Sequence, residues 1–261
     1  MTTKKYTNPA TIALHAGWRK DETTNSVTVP IHMTSSYQFD DTDHAANLFA
    51  LSELGNIYSR IMNPTNAVFE ERVAELEGGV AALGLASGQA ASAYAIQNLC
   101  SHGDNFVASS HLYGGTYNQF KNPFSDMGIE VRFVDPSDPQ NFLDATDDKT
   151  RAYYGEVLPN PSFQVFPLQE VADIGRPLGI PLIVDNTAAP LICRPFDNGA
   201  AIILHSATKY IGGHGTSIGG VLVDVEILIG KPIPKDNPSL ISLIQTIMAW
   251  FGLRQSRHWG Q

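Results

Sequence analysis

Seven short apolar runs, spaced along residues 81–223, constrain this chain more than any other feature. They read AALGLA (81–86), NFVASS (105–110), IEVRFV (129–134), RAYYGEV (151–157), PLIVD (181–185), AIILHS (201–206) and GGVLV (219–223). Each has strand length and turn signals on its flanks. Most are apolar without alternation, as expected of strands buried on both faces of a sheet. Helical stretches such as QAASAYAIQNLC (89–100) and LQEVADIGRPLG (168–179) lie between them. Strands alternating with helices predict crossover units, a mostly parallel sheet and an α/β fold. A further helix is expected after Asn63-Pro64, with Asn63 as N-cap and Pro64 at the first helical position. Its apolar residues Val68, Phe69, Val73 and Leu76 share a face, and Gly78-Gly79 stops it. Residues 63–224 thus form the expected large domain. Residues 1–62 are polar and strand-poor, and read as an arm that reaches a partner subunit.

Bulk properties narrow the function. Hydrophobic residues make up 43% and charged residues 16%, enough for a sizeable core. A net charge of -9 argues against a nucleic-acid binder. Two cysteines, Cys100 and Cys193, offer neither a disulfide framework nor a zinc cluster. No apolar leader or membrane-length segment is evident, so the expectation is a cytoplasmic protein.

Several motifs sit where the runs end. HSATKY (205–210) places Lys209 just past a strand, with Ser206 and Thr208 beside it. Partial burial there would lower the lysine pKa and suit an imine-forming amine, while the hydroxyls could bind phosphate. VDNT (184–187) ends another strand in Asp185, at the edge where open α/β sheets bind ligands. Such a carboxylate can hold a pyridine nitrogen protonated. Gly88 and Gln89, in ASGQAA (86–91), open a helix whose N-terminal N–H groups suit an anion. Tyr113, in LYGGTY (112–117), offers a ring for stacking on a planar group. Asn160, in LPNP (158–161), can bond a phenolic oxygen or a carboxylate, and Arg60, in YSR (58–60), suits a phosphate. A dinucleotide loop at Gly212-Gly213-His214-Gly215 is disfavoured, because the glycine spacing and an acidic partner are missing.

Taken in order, YSRIMNPT (58–65), ASGQAA, LYGGTY, VDNT, HSATKY and GGHGTSIGG (212–220) resemble the Cys/Met-metabolism family of pyridoxal-5′-phosphate (PLP) enzymes. The resemblance runs from about residue 8 to residue 224. It implies an aspartate-aminotransferase-like fold (fold type I). It also implies that Lys209 is the Schiff-base lysine and proton shuttle, Asp185 the partner of the pyridine nitrogen, and Tyr113 the ring-stacking catalytic residue. Gly88, Gln89, Ser206 and Thr208 would bind phosphate, and Asn160 would face cofactor and substrate. Tyr58 and Arg60 would reach the phosphate of a neighbouring subunit, which implies a homo-oligomer, a tetramer by resemblance. LHAG (14–17), GNIYSRIMNPT (55–65) and GGHGTSIGG are most similar to the O-acetylhomoserine sulfhydrylases. The implied reaction is γ-replacement on O-acetylhomoserine by sulfide or a thiol, in sulfur amino-acid biosynthesis. Cystathionine γ-synthase or γ-lyase chemistry is the alternative.

Members of the family continue into a second, smaller domain that supplies an arginine for the substrate carboxylate. Residues 225–261 read like no such segment. With suitable codons, 225–230 and 242–251 can spell family-like sequence in one shifted reading frame. A frameshift near codon 224 is therefore expected, and with it a choice between a working transferase and a remnant that only binds PLP.

Overall fold

The computed structural model describes residues 6–50 and 52–225. The expected atypical tail beyond Val225 lies outside the described residues. All seven apolar runs become strands of one sheet: β1 (Ala81–Leu85), β2 (Asn105–Ser109), β3 (Glu130–Val134), β4 (Thr150–Glu156), β5 (Leu182–Asp185), β6 (Ile202–His205) and β7 (Gly220–Asp224). Their order is β1-β7-β6-β5-β4-β2-β3. The pairings among β2 to β6 are parallel, while β7 runs antiparallel to both β6 and β1. This is the mostly parallel α/β sheet expected from the sequence.

The absence of alternation in the runs follows from burial on both faces. Along β5, Leu182 and Val184 pack into one core cluster and Ile183 into the other. Along β6, Ile203 faces the first cluster, with Ile202 and Leu204 in the second. Helices cover each side. Seven of them, α1 (Pro9–His15), α2 (Thr42–Phe49), α3 (Pro64–Glu77), α4 (Gly88–Leu99), α5 (Gly114–Gln119), α6 (Gln140–Asp144) and α7 (Leu168–Gly175), are α-helical. Val73 and Ala74 of α3 and Val171 and Ala172 of α7 enter the first cluster; Ala91, Ala95 and Ile96 of α4 enter the second. A buried side chain of valine or isoleucine size contributes about 1.5–3 kcal/mol.

Helix α3 has the caps its sequence announces. The Asn63 side chain accepts from Thr65 N–H, Pro64 starts the helix, and Gly78 ends it at φ 79°. That left-handed conformation suits glycine. The arm differs from expectation, since it holds α1 and α2 as well as irregular chain. Both are short and set by local caps: Asn8 accepts from Ala10 N–H, and Asp41 from His44 N–H. Helix α1 packs on α3. The arm is also tied to the start of α3, where Asn63 Nδ2 donates to His32 O (2.9 Å) and Thr65 Oγ1 to Pro30 O (2.8 Å).

The connections fix where a ligand crevice opens. From β2 the chain moves outward to β3, whereas from β4 it moves the other way to β5. The C-terminal ends of β2 and β4 therefore flank a topological switch point, the place where open α/β sheets bind ligands.

Candidate cofactor site

Asp185 is the last residue of β5, in register with Glu156 at the end of β4 and with Leu204 on β6. Its carboxylate accepts Thr187 N–H at 2.8 Å. Burial pushes the Asp185 carboxyl above its ordinary value, opposed by the hydrogen bonds from Thr187 and by His205. Thr187 also reaches the next strand end, where its Oγ1 accepts Ser206 N–H at 2.7 Å. The loops that follow β5 and β6 are thereby tied together.

Opposite Ser206 lies the start of α4. A methyl group added at Gly88 would come within 2.7 Å of Ser206 Cβ, so only glycine permits this approach. Ser87 caps the helix through its side chain, which takes Ala90 N–H, and its carbonyl takes Ala91 N–H. Gly88 and Gln89 keep their N–H groups free of backbone partners among the described residues. The Ser206 Cβ and backbone lie against Gly88. Free donors at the N-terminus of a helix of 12 residues suit a phosphate. The Gln89 side chain donates to Thr116 Oγ1 (3.1 Å), and Gln119 Nε2 donates to Gln89 O (3.0 Å). These bonds join α4 to α5, the helix that Tyr113 precedes.

Tyr113 follows β2 at the switch point, its ring half exposed and lying against Gly115. Its N–H donates to Glu156 Oε1 at 2.8 Å. Glu156, the last residue of β4, is a further candidate that the motifs do not single out, although RAYYGEV carries its carboxylate one residue before the end of the run. It is buried, and its pKa is pushed up to about 8, first by burial and then by the Asp185 charge, against the N–H groups of Tyr113 and Asn160. Asn160 itself sits at an exposed position.

Two expectations need correction. Lys209 is exposed rather than partly buried. It sits in a turn beyond the end of β6, its N–H on Ser206 O, where no described element covers it. Thr208 does not present its hydroxyl as a free donor. Thr208 Oγ1 donates to Gly219 O (3.2 Å) and accepts Gly219 N–H (3.1 Å), closing the loop between β6 and β7. Tyr58 and Arg60 lie apart on the arm, joined to none of the other candidates by a hydrogen bond among the described residues. The Arg60 guanidinium lies 5.6 Å from the centre of the Tyr58 ring. Beneath the strand ends, Glu77 Oε1 accepts from His205 Nε2 (2.7 Å) and from Asn186 Nδ2 (3.2 Å). All three are buried, and they brace the residues next to Asp185 and Ser206.

The model of the family "Cys/Met metabolism PLP-dependent enzyme" matches residues 10–254. The chain belongs to this family. The family match continues past Asp224, further than the sequence motifs reach, so the break expected there is not the limit of similarity. The chain is 54% identical over 217 residues to the O-acetyl-L-homoserine sulfhydrylase of Leptospira meyeri, covering 83% of this chain and 49% of that protein. It is 46% identical over 254 residues to O-acetyl-L-homoserine sulfhydrylase 1 of Thermus thermophilus, covering 96% and 59%. The chain therefore spans about half the length of these curated relatives. Among solved structures, a putative O-acetylhomoserine (thiol)-lyase from Campylobacter jejuni, with N′-pyridoxyl-lysine-5′-monophosphate, superposes with a TM-score of 0.85 at 38% identity. That match covers 90% of this chain and 58% of the other. Cystathionine γ-lyase from Lactobacillus plantarum gives 0.78 at 31%, covering 94% and 62%. The fold is that of these PLP enzymes.

Proposed function

We propose that this chain binds PLP and forms the cofactor-holding part of an enzyme for γ-replacement on O-acetylhomoserine, with sulfide or a thiol entering and acetate leaving. The observation that carries this reading is the meeting of Asp185 and Ser206 at neighbouring strand ends, with the Gly88 backbone against Ser206. That cradle, which a Cβ would fill, fits a phosphate. The carboxylate beside it fits a ring nitrogen that must stay protonated.

In this reading the N–H groups of Gly88 and Gln89 and the Ser206 hydroxyl hold the phosphate, while Thr208 fixes the loop around it. Asp185 would hold the proton on the pyridine nitrogen, and the Tyr113 ring would pack against the cofactor. Lys209 Nζ would be the amine that holds the cofactor covalently. When bound, PLP supplies an electron sink for the substrate carbon framework. Lys209 Nζ would also take and return protons at substrate Cα and Cβ, as acetate leaves Cγ with its bonding pair and the thiolate forms the new bond there. Asn160 orients substrate or cofactor at the crevice mouth. Tyr58 and Arg60 act on the phosphate of a neighbouring copy, which suits an arm that exposes Val27, Ile31 and Met33.

The test is to supply O-acetylhomoserine and sulfide with PLP and to measure homocysteine and acetate in equal amounts. Equal release that disappears in K209A supports the reading. Formation of 2-oxobutyrate from cystathionine, without the replacement products, would favour the γ-lyase alternative.

A further inference from the structure

Glu156 stands in the crevice with no role in the chemistry above, yet it touches two of the elements that frame it. Its Oε1 accepts Tyr113 N–H at 2.8 Å, and the Asn160 N–H lies near enough to favour the carboxylate charge. Tyr113 follows β2, Asn160 follows β4, and Asp185 stands in register with Glu156 on β5. One side chain thus bridges the switch point. Besides Glu156, the Tyr113 backbone is held by Tyr117 N–H on its carbonyl (3.0 Å), at the start of α5. Tyr113 is the first residue before α5 and has no side-chain cap, while Asn160 lies in the irregular stretch after β4.

We propose that Glu156 is a positioning residue that holds the ring of Tyr113 and the side chain of Asn160 in one fixed relation to the cofactor, through their backbone N–H groups. The inference rests on PLP occupying this crevice. A buried carboxylate is an unusual choice for a purely structural bridge, because taking it out of water is expensive unless it is paired. Here the Tyr113 N–H pairs with it and the Asn160 N–H favours its charge, at the two positions where a shift of a ring or an amide would be felt. Pre-setting both side chains removes ordering that binding would otherwise have to supply.

The experiment uses the full chain and follows PLP titration by visible circular dichroism, which reports how rigidly the achiral cofactor is held. E156A should weaken PLP binding about tenfold, equivalent to about 1.4 kcal/mol, and reduce the signal per bound cofactor. E156Q keeps one acceptor oxygen and should recover most of both. In a Y113A/N160A background, E156A should add no more than about a twofold change, because groups that act as a unit are non-additive. Wild-type affinity and signal in E156A would overturn the proposal. So would a full tenfold loss in the double background, which would mark a role in the fold alone. Should E156A not fold, E156D serves instead: it retains the charge but draws the acceptor back by one methylene, and wild-type behaviour there is equally contrary. A wild-type chain that develops no visible signal with PLP would instead defeat the functional reading itself, and with it this inference.

Discussion

Two carboxylates at adjacent strand ends give the crevice its character. Asp185 and Glu156 are in register, and burial raises the pKa of both. A cationic ring nitrogen relieves that strain; without one, protons must. For Glu156 the folded value of about 8 lies above the ordinary 4.5, so the folded chain binds more protons than the unfolded chain between those values. Stability of the PLP-free protein should therefore fall as pH rises from about 5 to about 8, by at most about 1.4 kcal/mol per pH unit from this group. Thermal midpoints across that range test it, and E156Q should flatten the slope. A slope unchanged in E156Q would contradict the assignment. At Gly88 the argument is steric. G88A should weaken PLP binding at least tenfold while destabilising the fold by about 1–3 kcal/mol, read from parallel PLP and urea titrations, because the added methyl collides with Ser206.

Helices and strands differ in how plainly the sequence declared them. The central apolar runs became strands because burial on both faces needs unbroken apolar residues, a strong and local signal, whereas β3 at the sheet edge alternates and is only partly buried. Helix α3 was legible from Asn63, Pro64 and Gly78, which act as caps in the structure. Helices α1 and α2 were not, since seven or eight residues carry too little periodicity to stand out. Asp185, Gly88 and Tyr113 were readable because they end or begin such elements. Glu156 ends a strand too, but its importance depends on Tyr113 and Asn160 approaching from other loops, which spacing alone does not reveal. The exposed setting of Lys209 was hidden for the same reason. At the α3 cap, N63A should lower stability by about 1–2 kcal/mol, seen as a lower thermal midpoint. The loss includes the bond to His32 O, so the arm should become more sensitive to protease than the sheet does.

At the scale of the whole molecule, the described residues form a seven-stranded sheet with a switch point between β2 and β4, within a chain that spans about half of its relatives' length. If Arg60 serves a neighbour's phosphate, K209A and R60A chains should complement each other. Mixed pairs would contain one intact site, so an equal mixture should regain about a quarter of the wild-type cofactor signal at subsaturating PLP, given random pairing. No recovery would place Arg60 outside the shared site. The central claim, that this crevice holds PLP through Lys209, has a direct test. The PLP-treated chain is reduced with borohydride, digested, and its peptides are weighed by mass spectrometry. The expected result is a phosphopyridoxyl mass on Lys209 and its absence in K209A; modification spread over other lysines, or none at all, would contradict the account.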